Sequence, residues 1–243
     1  MHYISNIFIN EKYLLLDLGG TIIDIKEEFE VYTKNGIEKI YYKLKPNIPK
    51  NFFCDTMFEI RNRIRYLAKL RDIEFDFRYY INCSFKELNI RTDNISIREL
   101  EDLYVKEELK ISYMFPDVID FLENAKKKKK FLIATTNNFS SLLVNMLLEK
   151  FYIKKYFKYI FISGDIGLRK PNVNFLNELS TKYKLSLNYT NTIIFGDSIN
   201  DDIKCGIRKK IKTCHVNRNK CKEIIYKEKP NYRIDNFNRV YLV

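Results

Sequence analysis

Tyr13-Leu14-Leu15-Leu16-Asp17-Leu18-Gly19-Gly20-Thr21-Ile22-Ile23-Asp24 is the stretch on which the reading of the chain turns. An unbroken aromatic and aliphatic run ends in an acid, two glycines and a threonine. A continuous apolar run closed by Gly-Gly has the pattern of a strand buried on both faces, as in parallel sheets. The glycines permit the sharp turn that ends it. Asp17 then stands at the carboxyl end of a central strand, the edge where open α/β sheets hold their ligands. The same residues would also serve as a plain turn, so the stretch takes its meaning from the segments downstream of it in the chain.

From Lys26 to about Tyr113 the text is helical, with apolar residues at three- and four-residue spacing over 27–42, 56–71, 77–88 and 97–109. Turn signals such as Asn47-Ile48-Pro49 separate these segments, and Ser96 is placed to start the last one. Beyond Pro116 helix and strand alternate. Helix is expected over 116–129, strand over 131–135 closed by Thr136-Asn137-Asn138, helix through Leu142 to Leu147, and strand over 159–162. A loop to Lys170 comes next, with Pro171 at a first helical position, then a strand over 192–195 ended by Gly196-Asp197, a helix over 200–209 and a strand over 212–216. Ile7, Phe8 and Ile9 suggest a short extra strand or edge. Repeated strand–helix units predict an α/β fold with a doubly wound parallel sheet and right-handed crossovers. A helical insert would occupy residues 25–113, leaving 1–24 and 114–243 as the core.

The 243 residues are 46% hydrophobic and 30% charged, which excludes a disordered chain. No apolar run approaches the roughly 20 residues needed to span a bilayer. Residues 1–12 lack the basic start and long apolar core of a secretion signal. Cys54, Cys83, Cys205, Cys214 and Cys221 are odd in number and form no Cys-x-x-Cys pair, the pattern of reduced thiols in a cytoplasmic protein. The net charge of +12 is spread along the chain beside abundant Asn, Ile, Tyr and Phe. Its one dense run, Lys126 to Lys130, closes a helix, where cations suit the macrodipole, so a nucleic-acid partner is not expected.

Asp17 after the first strand, Thr136-Asn137 after the second, Lys170 before a helix and Asp197 after the fourth strand would converge on one crevice. Carboxylates, a hydroxyl and an ammonium at one place match a centre for a hard divalent cation and a phosphoryl group. In this order the four segments resemble the haloacid dehalogenase superfamily. Its Asp-x-Asp-x-Thr motif has as counterpart Asp17-Leu18-Gly19-Gly20-Thr21, and its Ser/Thr-ended strand Thr136-Asn137. Its lysine before proline corresponds to Lys170-Pro171, and its Gly-Asp-x(3,4)-Asp to Gly196-Asp197 through Asp202. Pro230-Asn231-Tyr232 is similar to the family's closing Pro-x-Tyr segment.

The resemblance implies a Rossmann-like core with an inserted helical cap of the family's first type. It implies a Mg²⁺-dependent phosphohydrolase that forms an aspartyl phosphate on Asp17 and acts on a small phosphorylated metabolite. Asp17, the carbonyl of Gly19 and Asp197 would bind the metal, with Asp202, or alternatively Asp201, supporting it from behind. Thr136, the amide of Asn137 and Lys170 would hold the phosphoryl oxygens. Asp24 is expected only to cap the start of the insert. The sequence departs from the family at Gly19, where phosphatases carry a second aspartate that protonates the leaving group and activates water. Three alternatives stand: a phosphatase that uses a good leaving group, a cap residue or water; a phosphate-binding protein with little turnover; or other chemistry on Asp17. That other chemistry is either dehalogenation, which needs no metal, or phosphonate cleavage, which needs a cap lysine such as Lys26 or Lys34. The insert's aromatics, among them Tyr32, Tyr41, Phe53, Phe75, Phe77 and Tyr80, are expected to be mainly packing, with one or two facing substrate.

Overall fold

The computed structural model describes residues 6–91, 95–218 and 229–243; Cys221 lies outside the described residues. Strands β1 (Ile7–Ile9), β2 (Tyr13–Leu16) and β3 (Ile23–Ile25) precede four helices, α1 (Phe29–Leu44), α2 (Lys50–Arg71), α3 (Phe77–Glu87) and α4 (Ile97–Ile111). Then come β4 (Ser112–Met114), α5 (Val118–Lys127), β5 (Phe131–Thr136), α6 (Ser141–Lys150), β6 (Phe157–Ile162), the single turn α7 (Ser163–Ile166) and α8 (Val173–Lys182). β7 (Thr192–Gly196) leads through a π-helical turn (Ile199–Ile203) into α9 (Lys204–Lys209), followed by β8 (Lys212–Val216), β9 (Tyr232–Ile234) and β10 (Val240–Leu242).

β2 lies inside an all-parallel sheet of order β6-β5-β2-β7-β8-β9. The chain winds outward through β5 and β6, then crosses to the other side of β2 for β7, β8 and β9. That reversal leaves a crevice at the carboxyl ends of β2 and its neighbours. Successive strand residues face opposite ways, and the core obeys this parity. Leu14, Leu16, Leu132, Ala134, Ile193 and Phe195 pack with Phe121 and Leu122 of α5 and Leu143 of α6. Leu15, Ile133 and Ile194 pack on the opposite face with Phe175, Leu176 and Leu179 of α8 and Cys205 of α9. Both faces are covered, which is why these strands read as continuous apolar runs.

Helices α1–α4 lie between β3 and β4, which pair antiparallel with Ile23 opposite Met114 and Ile25 opposite Ser112. The rings of Phe77 and Tyr104 each lie 5.9 Å from that of Phe139, in the loop after β5, so the insert packs against the loop at the carboxyl end of that strand.

Several local expectations change. Asp24 does not cap the insert. It sits in β3, accepting from Ile25 N at 2.9 Å and Tyr113 Oη at 3.4 Å, while Glu28 precedes α1 with no side-chain cap bond. α2 begins at Lys50 rather than 56, because Phe53 and Cys54 are buried against α1 and packing holds the first turn. Pro171 precedes α8 rather than starting it, since Asn172 Oδ1 caps the helix by accepting from Asn174 N at 3.0 Å. The helix expected over 200–209 opens as a π turn, with Ser198 Oγ accepting from Asp201 N at 3.1 Å. β1 pairs with β10 in a separate two-stranded sheet.

One buried ion pair joins distant segments. Arg218 Nη1 donates to both oxygens of Asp117 at 2.8 and 2.7 Å, and its Nε and Nη2 donate to the Thr21 carbonyl at 3.1 and 2.8 Å. Asp117 Oδ2 also accepts from Phe237 N at 2.5 Å. The loop after β2, the start of α5 and the approach to β10 thus share one point. Removing one partner of a buried pair strands the other charge, an effect of about 3–5 kcal/mol. Asp117→Ala is therefore expected to lower the unfolding free energy by about that amount in urea denaturation; a loss below about 1 kcal/mol would show that the pair does not hold these segments.

Candidate functional site

The end of β2 is pinned to β7 by Asp17 N donating to the Phe195 carbonyl at 2.9 Å. The two glycines just beyond it have different reasons. Gly20 has φ +71°, and a Cβ there would sit 2.5 Å from Asp197 Oδ2, so this position requires glycine on both counts. A Cβ on Gly19 would meet nothing within 4 Å. Gly196 is packed so closely on Asp202 that a Cβ would lie 2.1 Å from its Cγ.

Lys170 is 1% exposed. Its Nζ donates to Asp17 Oδ1 at 2.7 Å, Asp202 Oδ1 at 2.5 Å and the Thr135 carbonyl at 2.7 Å, which uses all three protons. Its main chain is gripped by Asn137, whose Oδ1 accepts from Lys170 N and whose Nδ2 donates to the Lys170 carbonyl, both at 2.9 Å. Asp202 Oδ2 accepts from Ser198 N at 3.1 Å, and His215 Nε2 lies 3.0 Å from the Asp197 carbonyl, so the Gly196–Asp202 loop is held at both ends.

The structure thus brings Asp17, Gly19, Thr136, Asn137, Lys170, Asp197 and Asp202 to one cavity of about 390 Å³. Asp201 lines it too but turns to Arg169 at 3.6 Å. Carboxylate oxygens of Asp17, Asp197 and Asp202 lie within 4.8 Å of one another. Three acids around one ammonium are short of positive charge. Burial raises the Asp17 carboxyl to about 6, with Lys170 opposing and Asp197 adding to the rise. Burial likewise raises Asp197 and Asp202 to about 7. Burial works against the Lys170 charge, but Asp17 and Asp202 more than offset it and hold its pKa above the usual lysine range. Oxygen donors in this arrangement suit a hard divalent cation.

The far wall of the cavity is formed by residues that no short motif marks. From α1 come Phe29 and Tyr32, from α2 Arg61, Arg65 and Lys69, and from α4 Tyr104 and Glu108. Of the aromatics named from the sequence, Tyr32 reaches the cavity, whereas Phe53 and Tyr80 are fully buried packing. Lys26 and Lys34 are not in the lining, and Lys34 pairs with Glu30 at 2.7 Å. Arg61, Arg65 and Lys69 carry a signal readable in hindsight, a four-residue spacing of cations on one helix. Glu108 lies in an ordinary run of charged residues, and nothing local distinguishes it.

The haloacid dehalogenase-like hydrolase family pattern matches residues 14–216. No curated protein matches the chain. Among solved structures, a HAD phosphatase from Thermococcus onnurineus is 20% identical, with 93% of this chain and 94% of that chain covered and a TM-score of 0.61. A 2-haloacid dehalogenase from Pseudomonas syringae pv. Tomato DC3000 is 18% identical over 94% of this chain and 96% of that one, with a TM-score of 0.65. The HAD-family protein YfnB from Bacillus subtilis, bound to magnesium, is 21% identical over 95% and 96%, with a TM-score of 0.60. These likenesses establish a shared fold and include both phosphatase and dehalogenase. The family pattern spans every strand end that supplies the cavity floor, and the chain belongs to the haloacid dehalogenase-like hydrolases.

Proposed function

We propose that this hydrolase is a phosphatase of small phosphorylated metabolites, with Asp17 as nucleophile and Mg²⁺ as cofactor. The observation that carries this reading is the convergence of Asp17, Asp197 and Asp202 within 4.8 Å around a single buried ammonium. A dehalogenase has no need of such an acid cluster; for phosphonate cleavage, Lys26 and Lys34 are absent from the cavity lining, and the one lysine of the helical insert in it, Lys69, is exposed at the rim. Asp17, Asp197 and the main chain at Gly19 would hold the cation, with Asp202 behind them, and the cation would offset charge on the phosphoryl oxygens. In this reading helices α1–α4 act as a cap over the core, excluding water and setting the size of the substrate. The free thiols Cys54, Cys83, Cys205 and Cys214 fit the cytoplasmic setting expected of such an enzyme.

Lys170 holds Asp17 Oδ1 and so fixes the carboxylate for in-line attack. An Asp17 oxygen bonds to phosphorus as the bond to the leaving oxygen breaks, giving an aspartyl phosphate and an alcohol. Thr136 and the main-chain N–H of Asn137 would support the phosphoryl oxygens, while Lys170, expected to bind them but with its three protons taken by Asp17, Asp202 and the Thr135 carbonyl, acts on them only through its charge. Water then attacks phosphorus, releasing inorganic phosphate and restoring the Asp17 carboxylate. Each half needs a proton moved, and Gly19 cannot move it. We assign this task to Glu108, which shares two cavities with Gly19. Burial pushes the Glu108 carboxyl up to about 7, against the opposing charges of Arg61 and Arg65. It can donate to the leaving oxygen and then accept from water near neutral pH. The competing reading, phosphate binding without turnover, rests on Gly19 alone.

The wild-type protein with Mg²⁺ is expected to release phosphate from a panel of phosphate esters, and Asp17→Asn to abolish release. Unchanged turnover in that variant would remove Asp17 as nucleophile. Glu108→Gln is expected to reduce kcat about 10²-fold or more, most for alkyl esters, whose leaving oxygen needs its proton. Adding Gly19→Asp, into space the fold leaves open, should recover part of that loss. Equal rates for wild type and Glu108→Gln would eliminate the assignment.

The metal has its own test. Folded pKa values above the ordinary carboxylate value mean that the metal-free protein holds protons that the unfolded chain has released. Its stability therefore falls as pH rises through about 6–7. A cation bound to the ionised acids reverses this. Mg²⁺ should raise the Tm more at about pH 8 than at about pH 5.5; an equal shift at both, or none, would count against metal binding at these acids.

A further inference from the structure

We propose, resting on the phosphatase reading, that α2 carries a second anion site and that the substrate is a small phosphate ester bearing a second phosphate. Arg61, Arg65 and Lys69 recur every fourth residue along α2, on one face of the helix, and all three line the cavity that contains Asp17 and Lys170. They form a graded wall: Arg61 is buried, Arg65 half-buried and Lys69 exposed at the rim.

The guanidinium groups are held by their faces. The Arg61 Cζ lies 3.8 Å from the ring centre of Phe139, and the Arg65 Cζ lies 4.0 Å from that of Phe29. Stacking in this way immobilises the plane; Arg61 also bonds the Tyr104 hydroxyl, and the in-plane N–H groups not so engaged are left to bind something else. Arg61 Nε is buried without a hydrogen-bond partner among the described residues. An unpaired buried donor is unfavourable unless a ligand completes it.

The charges point the same way. Arg169, beside them, is balanced by Glu74 at 3.8 Å and Asp201 at 3.6 Å. Among the described residues, Arg61, Arg65 and Lys69 have no carboxylate within ion-pairing distance; Glu108 of α4 lies in the same wall, with its carboxyl raised to about 7 by burial. Burial lowers the pKa of Arg65 and Lys69, and neighbouring cations lower each further: Arg61 and Arg169 around Arg65, Arg65 and Arg169 around Lys69. Three cations beside one acid whose carboxyl is raised leave an excess of positive charge, which suits a phosphate dianion better than a carboxylate or a neutral sugar hydroxyl. In that reading the reacting phosphoryl group lies at Asp17, beside Thr136 and the main-chain N–H of Asn137 on the opposite wall, so this dianion sits at the other end of the molecule.

The test separates binding from turnover. Asp17→Asn protein with Mg²⁺ is titrated calorimetrically with a hexose bisphosphate, the matching hexose monophosphate and a phosphorylated hydroxy acid. The bisphosphate should bind at least about tenfold more tightly than either. Adding Arg65→Gln and Lys69→Gln should abolish that preference, and Arg65→Lys should keep part of it, as a point charge without the fork would. Circular dichroism confirms folding of each variant. Equal affinity for bisphosphate and monophosphate, a preference that survives the double glutamine variant, or tighter binding of the phosphorylated acid would overturn the proposal. The same preference with no phosphate release by the wild type would support the site while removing the phosphatase reading beneath it.

Discussion

The buried ammonium of Lys170 is the constraint around which the molecule is arranged. At 1% exposure it is stable as a cation only because Asp17, Asp202 and the Thr135 carbonyl take its three protons. Those partners come from the ends of β2 and β5 and from the turn after β7, so satisfying one charge requires three loops to meet. Asn137 completes the arrangement by gripping both main-chain polar groups of Lys170, which fixes where its side chain starts. Much of the floor of the cavity is set by this single requirement.

The same requirement leaves a deficit. One ammonium cannot neutralise three converging acids, and burial of Asp17 and Asp202 raises their carboxyl pKa values. A site built in this way would gain stability from a divalent cation. The opposite wall has the reverse imbalance, with the α2 cations beside Glu108. A molecule with a phosphoryl group near the acids and a second anion near α2 would satisfy both walls at once. The fold thus creates two complementary shortages across one cavity.

Glycine shows how differently one residue type can be used within a few positions. Gly20 and Gly196 are required by close approach, to Asp197 and to Asp202 respectively. Gly19 is surrounded by open space, so its lack of a side chain is a chemical feature rather than a packing need. Among the helices, Glu108 is a half-buried acid that lines the same two cavities as Gly19.

Much of this was legible in the chain. Buried parallel strands must be apolar on both faces, so β2, β5 and β7 announce themselves, and the residues that end them lie next to them in sequence. The placing of Asp17, Thr136, Asn137 and Asp197 at one crevice was therefore readable from the sequence alone, as was an α-helical stretch between β3 and β4. Local features decided by packing were not: the early start of α2, held by Phe53 and Cys54, the place of Asp24 across from Tyr113, and the π turn that delivers Asp202. Nor was the far wall. A helix sequence specifies a face by its period but not what that face meets, and only the crossing of α2 and α4 over the sheet turns Arg61, Arg65 and Glu108 from ordinary charged residues into parts of a cavity.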